Sequence, residues 1–153
     1  MSGFSVERST TIDAQPQHVH AFVNDFHRWI EWSPWEDVDP DLQRSFAGPD
    51  QGVGAQYSWS GNRKAGAGKM EIVGSTPERI DVTLDFLKPF KSPGNQVHFD
   101  FVPEGNGTRV VWRIESEFSG LMKVMGRFMN MEKMIGPDLE KGLRQLEAAA
   151  EKS

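Results

Sequence analysis

The chain has 153 residues, of which 37% are hydrophobic and 25% charged, and these values indicate one globular domain, residues 1–153, rather than a disordered chain. The net charge of −5 argues against nucleic-acid binding, because phosphate recognition needs clustered Lys and Arg side chains. The absence of cysteine excludes disulfides, thiolate nucleophiles and metals bound through cysteine.

The first part of the chain predicts one strand followed by two short helices. Residues 4–12 alternate weakly and are rich in β-forming residues, which is typical of a strand. Pro16 suits the first turn of a helix, where the N–H that proline lacks would have no intrahelical partner. A second helical segment over residues 26–31 is expected to end before Ser33-Pro34, because the residue before a proline avoids α geometry.

Between residues 39 and 117 the hydrophobic pattern changes to period two, which predicts an antiparallel sheet. Strands are expected over residues 42–46, 56–61, 69–73, 80–86, 97–101 and 110–114, with a glycine-rich connection at 61–68 and a tight turn at 104–107. Residues 78–117 form a meander with one apolar and one charged face. Such a sheet has to bury its apolar face against another layer.

The covering layer is predicted after residue 119. An apolar stripe at helical spacing covers two stretches, Met122, Met125 and Met129, then Leu139, Leu143 and Leu146. Gly136-Pro137 interrupts the stripe, so we expect a kink or a break between two helical segments. The methionines suit either a ligand-facing surface that adapts its shape or ordinary packing, and a membrane-touching amphipathic segment is a third interpretation.

Three tryptophans, Trp29, Trp32 and Trp35, lie close together around Ser33-Pro34. Each aromatic side chain buries about 150–250 Å², so this group is large enough to close one end of the sheet. The same group also suits the mouth of a cavity, with one indole N–H donating a hydrogen bond to a polar group of a ligand. The sequence leaves both interpretations open.

Motifs for phosphate, metal and nucleophilic chemistry are incomplete. The glycine-rich residues 61–68 lack the Lys-Ser or Lys-Thr pair of a P-loop. Asp37, Asp39 and Asp41 begin like a calcium loop, but Leu42 stands where that loop needs glycine. We therefore predict no metal and no cofactor, and we assign no catalytic residue.

The order and spacing of several segments resemble the START-like, Bet v 1-type superfamily (SRPBCC), in its bacterial polyketide cyclase/dehydrase-like branch. The resemblance runs from residue 4 to about residue 147. The segments that carry it are Ile12, Ala14 and Pro16 at the first strand–helix junction, the aromatic residues 26–35, GKMEI at 68–72, TRVVW at 108–112 and GPDLEKGL at 136–143.

The resemblance implies an α+β helix-grip fold. In this fold a curved, seven-stranded antiparallel sheet wraps around a long C-terminal helix, with two short helices after strand 1 and a cavity between sheet and helix. Strand alternation, together with the tryptophan group and the methionine stripe, then predicts the ligand-binding residues Trp32, Trp35, Trp59, Met70, Ile72, Leu84, Phe86, Phe99, Trp112, Met122, Met125 and Met129.

The leading hypothesis for function is binding of a small, largely hydrophobic ligand, either lipid-like or aromatic and polyketide-like, in this cavity. The first alternative is a cyclase or dehydratase acting on a polyketide-like or aromatic substrate there, which would need an acid or base inside the cavity. The second is a protein-interaction module, for which no residue pattern argues. Because the sequence has no signal-like or membrane-spanning apolar run, we expect a cytoplasmic protein without stable membrane insertion.

Overall fold

The computed structural model describes residues 3–36, 38–88, 91–117 and 131–152. Its elements are β1 (Gly3–Ile12), α1 (Pro16–Val23), a 3₁₀ helix (Phe26–Glu31), β2 (Gln43–Ala47), β3 (Gln56–Ser60), β4 (Ala67–Thr76), β5 (Arg79–Lys88), β6 (Ser92–Glu104), β7 (Gly107–Glu117) and α2 (Met131–Lys152). The seven strands form one antiparallel sheet in the order β1-β7-β6-β5-β4-β3-β2. The predicted helix-grip fold is confirmed, including the two short helices after the first strand.

The sheet bends where its central strands are irregular. Register shifts occur next to Gly68 and next to Gly74 in the pairing of β4 with β5. A further shift occurs next to Phe86 in the pairing of β5 with β6. Because a bulge adds a residue to one strand and increases its bend and twist, these shifts give the sheet a concave side toward α2.

Alternate side chains of β1 and of β3 to β7 share this concave side. In the register, Phe99 pairs with Ile80 on one side and with Trp112 on the other. The buried strand residues of the concave side are Val6, Ile12, Tyr57, Met70, Ile72, Ile80, Val82, Leu84, Val97, Phe99, Phe101, Val110, Trp112 and Ile114. The strand faces predicted from period-two alternation are therefore confirmed.

Helix α2 crosses β1 at a glycine. The Arg8 guanidinium pairs with Glu132 and with Glu140, one helical turn before and one turn after Gly136. A Cβ atom at Gly136 would lie deep inside the contact distance of that guanidinium. Of the two alternatives predicted at Gly136-Pro137, the break is wrong, because α2 continues through Pro137, while the kink stays a prediction. Gly136 serves a close approach between two elements and does not end the helix.

The same side of α2 continues to follow the start of the chain toward its C-terminal end. The Thr10 hydroxyl donates to Glu147 Oε1 at 3.0 Å, and the Asp13 backbone N–H donates to Glu151 Oε2 at 2.9 Å. With Arg8, these contacts give the helix polar partners along much of β1. The apolar residues Leu139, Leu143 and Leu146 are then free to be buried in the core.

A second side of α2 holds the segment that follows the 3₁₀ helix. Lys141 Nζ donates to the Pro34 carbonyl at 3.5 Å, and Gln145 Nε2 donates to the Trp32 carbonyl at 3.3 Å. The Trp35 indole donates to the Asp138 carboxylate. Residues three and four apart lie on one side of a helix, so these side chains together fix where residues 32–35 run.

Gly142 lies on this second side and allows the closest approach there. A Cβ atom at this position would be 2.6 Å from Trp112 Cζ3 and 2.9 Å from Pro34 Cδ. Both of these neighbours are rigid. Helix α2 therefore needs glycine at residue 142 in order to reach the sheet.

We predict that Gly142→Ala lowers the free energy of unfolding by about 1–3 kcal/mol, the usual effect of overpacking a core. Gly136→Ala is the matched comparison and should have a smaller effect, because its neighbour is the movable end of Arg8 and alanine favours the helix. Urea unfolding followed by circular dichroism measures both variants. A Gly142→Ala protein as stable as wild type would contradict the close packing of α2 on Trp112.

A second prediction concerns Asp138. Burial raises the pKa of the Asp138 carboxyl, and the Trp35 hydrogen bond and the Lys141 charge oppose that rise only in part. The folded protein therefore keeps this proton at a higher pH than the unfolded chain does. The contribution of Asp138 to the free energy of unfolding should therefore fall as pH rises from 3.8, the ordinary aspartate pKa, through the folded-state pKa, and stay reduced above it.

Asp138→Asn keeps an oxygen acceptor for the Trp35 indole and removes the charge. We expect the variant to be at least as stable as wild type at neutral pH, with the difference shrinking as the pH falls toward 3.8. Urea unfolding across this pH range measures the difference, and Asp50→Asn, at an exposed turn position, is the control. A difference that does not change with pH would contradict the assignment.

Candidate ligand-binding site

A cavity of about 150 Å³ lies on the concave side, between β3, β4, β5 and residues 33–36. Its apolar wall consists of Trp35, Leu42, Trp59, Met70, Leu84 and Phe86. Ser33, Glu36 and Tyr57 add polar groups, and Lys64, Ala65, Gly66 and Lys88 complete the lining. The cavity thus combines a mainly aromatic wall with a few polar side chains, as is usual for small-molecule sites.

The predicted site residues divide into three groups. Those that line the cavity are Trp35, Trp59, Met70, Leu84 and Phe86. Those that lie in the packed core, away from the cavity lining, are Trp32, Ile72, Phe99 and Trp112. Met122, Met125 and Met129 lie outside the described residues. A role in ligand binding remains a prediction for every one of them.

The three aromatic residues of the core group are kept out of the cavity lining because their rings pack on one another. Trp32 has its ring centroid 5.6 Å from that of Trp112 and 5.9 Å from that of Phe99, and Phe99 and Trp112 stack at 5.0 Å. The Trp32 indole N–H donates to the Phe22 carbonyl, and that of Trp29 donates to the Val23 carbonyl, both at 2.9 Å. Trp29 and Trp32 therefore close one end of the sheet, while Trp35 belongs to the cavity wall.

Trp59 owes its position to the glycine-rich connection. Its indole N–H donates to the Ala65 carbonyl at 2.9 Å. A Cβ atom at Gly68, its cross-strand partner, would lie 2.7 Å from Trp59 Cζ2. The ring thus lies over a position that has no side chain. The glycine-rich pattern of residues 61–68 predicts only a connection between strands and gives no signal for this role of Gly68.

Glu36 is the acidic residue among the polar lining residues that the sequence did not predict. Its Oε2 accepts from Arg44 Nε and its Oε1 accepts from the Tyr57 hydroxyl, both at 2.8 Å. Burial, followed by the charge of Glu36, raises the pKa of Tyr57, so the phenol keeps its proton. The hydrogen bond to Glu36 also raises the pKa of Arg44. Arg44 alternates with Leu42 and Phe46, and a charged residue in that position was the available signal for a buried partner.

The acidic loop and the strand histidine have structural roles. Asp39 Oδ1 accepts from the Asp41 backbone N–H at 2.8 Å, and its Oδ2 accepts from that of Asn62 at 2.7 Å. His98 bridges Asp81 at 2.6 Å and Glu115 at 3.3 Å on the charged, convex side. Within the described residues, no cluster of His, Cys, Asp or Glu side chains has the arrangement of a metal site.

A second hollow, of about 160 Å³, lies between the 3₁₀ helix and β2. His27, Phe46 and Pro49 are among its lining residues, and none of the predicted site residues is. The first cavity is therefore the candidate site. None of the helices in the described part of the chain is both long enough and apolar enough to cross a membrane.

Solved structures with the same fold include proteins of distant sequence. SA2116 from Staphylococcus aureus has a TM-score of 0.74 at 9% identity, over 99% of this chain and 95% of that one. CV1439 from Chromobacterium violaceum has a TM-score of 0.69 at 15% identity, over 96% of each chain. Ara h 8.0201 has a TM-score of 0.64 at 12% identity, over 99% of this chain and 97% of that one. At these identities the likeness establishes the fold alone.

The sequence family described as "Polyketide cyclase / dehydrase and lipid transport" matches residues 3–151. A comparison with curated proteins gives no significant match. The family match covers almost the whole chain, and the observed fold is the one that the sequence resemblance implied. The chain therefore belongs to the polyketide cyclase/dehydrase and lipid transport family, within the START-like, Bet v 1-type superfamily.

Proposed function

We propose that the protein binds a small, largely apolar molecule in the cavity beside β3, β4 and β5. The observation that carries this proposal is an unfilled volume of about 150 Å³ behind a wall of Trp35, Trp59 and Phe86. Protein interiors normally leave few voids larger than a water molecule. An engineered apolar cavity of about 150 Å³ binds benzene, so this volume suits roughly one ring. The family description, which includes lipid transport, supports the same class of function.

Glu36 is the one observation that favours cyclase or dehydratase chemistry, because a carboxylate lies in the cavity wall. General acid–base catalysis needs a group that is free to exchange a proton with the substrate. Both carboxylate oxygens of Glu36 already accept hydrogen bonds, from Arg44 and from Tyr57. The Tyr57 phenol in turn keeps its proton because its pKa is raised. These contacts favour binding over catalysis.

The protein-interaction alternative has weaker support. Exposed large apolar side chains lie on separate elements, such as Ile30 on the 3₁₀ helix, Val73 on β4, Val102 on β6 and Met134 on α2. Single exposed apolar residues are normal on protein surfaces. For the location we keep the cytoplasm as a proposal, supported by the cysteine-free composition.

The cavity can be tested with fluorobenzene as a one-ring probe. Saturable binding by the wild-type protein should appear as broadening and shift of the ¹⁹F NMR signal. Ala65→Trp places an indole at the lining and should weaken binding at least about tenfold, which corresponds to ~1.4 kcal/mol. Ala148→Trp, on an exposed position of α2, is the matched control and should bind as wild type does. No saturable binding, or equal binding by Ala65→Trp, would overturn the proposal.

The contacts of Glu36 can be tested through Tyr57, which is the only tyrosine of the chain. The phenolate absorbance of the folded protein should appear well above pH 10.0, and that of the urea-unfolded chain near it. Folding raises the pKa of Tyr57. The contribution of the Tyr57 phenol to stability is therefore fully present below pH 10.0, its ordinary pKa, and is lost as pH rises through the folded-state pKa.

Glu36→Gln removes the charge and keeps an acceptor for the phenol. The Tyr57 titration should then move down toward 10.0 without reaching it, because burial is the larger cause of the shift. Asp85→Asn, whose carboxylate accepts from the Gly94 backbone N–H, is the control. An unchanged titration in Glu36→Gln would show that the carboxylate does not act on Tyr57.

A further inference from the structure

Two lysines border the cavity, one from the β3–β4 connection and one from the end of β5. Lys64 lies in the loop before β4, and Lys88 lies at the end of β5, where it pairs with Ala67 in the register. Both side chains are exposed, and both belong to the lining. The apolar wall thus ends at a rim that carries two positive charges.

These charges have no carboxylate partner in the described part of the chain, where the ion pairs involve Arg8, Arg28, Arg44, Arg79 and Arg113 and two histidines. An ammonium group near an apolar opening attracts anions and repels cations.

The charge of the wall itself is already balanced. Among the residues that the structure describes, Glu36 is the only carboxylate of the lining, and the Arg44 guanidinium lies 2.8 Å from it. Because these two charges neutralise each other, the interior of the cavity does not offset the positive charge of the rim. The electrostatic preference of the whole site depends on Lys64 and Lys88.

The apolar wall restricts where a charge can be bound. An ionised carboxylate is strongly disfavoured in an apolar interior unless it is paired, whereas at the rim it stays in contact with water and with the lysines. A molecule that suits both the apolar wall and the lysine rim has an apolar ring inside the cavity and an acidic group at the mouth of the cavity. The volume of about 150 Å³ limits the ring system to roughly one ring.

We propose that the occupant of this cavity is a small cyclic acid, an aromatic or alicyclic carboxylate, whose anionic group is bound by Lys64 and Lys88. This inference rests on the proposed function, since it names the class of ligand for the same cavity. Exposed ion pairs are weak, and each one contributes up to about fivefold in affinity. The expected effect of the rim is therefore a preference among ligands and not the whole of binding.

The test compares 4-fluorobenzoate with 4-fluorobenzamide, which have the same ring and similar shape but differ in charge. Dissociation constants come from ¹⁹F NMR titrations at low ionic strength. Wild type should bind the benzoate about three- to tenfold more tightly, and this preference should shrink as salt is added. The double variant Lys64→Gln, Lys88→Gln should bind both probes alike, with its affinity for the benzamide unchanged.

The matched control is Lys69→Gln, Lys152→Gln, which removes two exposed lysines that do not border the cavity. It should keep the wild-type preference. Equal affinities of wild type for the two probes, or a preference that survives in the rim variant, would overturn the inference. Fluorobenzene binding distinguishes failure of the cyclic-acid inference from failure of the proposed function. If fluorobenzene binds and neither carbonyl probe does, only the cyclic-acid inference is overturned. If fluorobenzene does not bind either, the cyclic-acid inference and the proposed function are both overturned.

Discussion

The close approach of α2 to the sheet is the contact on which the rest of the structure depends. It requires that the helix present no side chain at Gly142, where Trp112 and Pro34 lie, or at Gly136, where Arg8 lies. With the helix in that position, its side chains reach the carbonyls of Trp32 and Pro34. The segment that supplies one wall of the cavity is therefore held by the helix at residues 32–35, and Glu36 ties its end to Arg44 and Tyr57 of the sheet.

The position of the cavity follows from what covers each part of the concave side. Beside β6 and β7, Trp32 packs on Phe99 and Trp112 and leaves these side chains almost fully buried. Beside β3, β4 and β5, the covering residues run from 33 to 36, and the space below them stays open. Trp59 keeps its place at the edge of that space because its indole is bonded to a loop carbonyl and lies over Gly68. The same apolar face is thus core at one end and cavity wall at the other.

Most of the fold could be predicted because it depends on local patterns. Alternation gave the correct face for every strand position assigned to the site, and Ser33-Pro34 marked the end of the 3₁₀ helix at Glu31. What alternation cannot show is which apolar residues have a partner across the core. Trp112 and Trp59 look alike in sequence, and what separates them is that Trp32, Trp35 and helix α2 at Gly142 pack on Trp112. The break assigned to Gly136-Pro137 was wrong for a related reason, because a glycine required by a tertiary contact has the same local signature as one that ends a helix.

The placement of charged groups at the cavity favours ligand binding over catalysis. A carboxylate that acts as a base has to point an oxygen at the proton that it removes. Glu36 is instead tied to Arg44 and Tyr57, which stabilises the wall between β2 and β3 and neutralises the interior. In the proposed function, the lysines at the rim orient the ligand, because an ammonium group attracts an anion without requiring a proton transfer. The proposal thus assigns stability of the wall to Glu36, Arg44 and Tyr57, and recognition of the anion to Lys64 and Lys88.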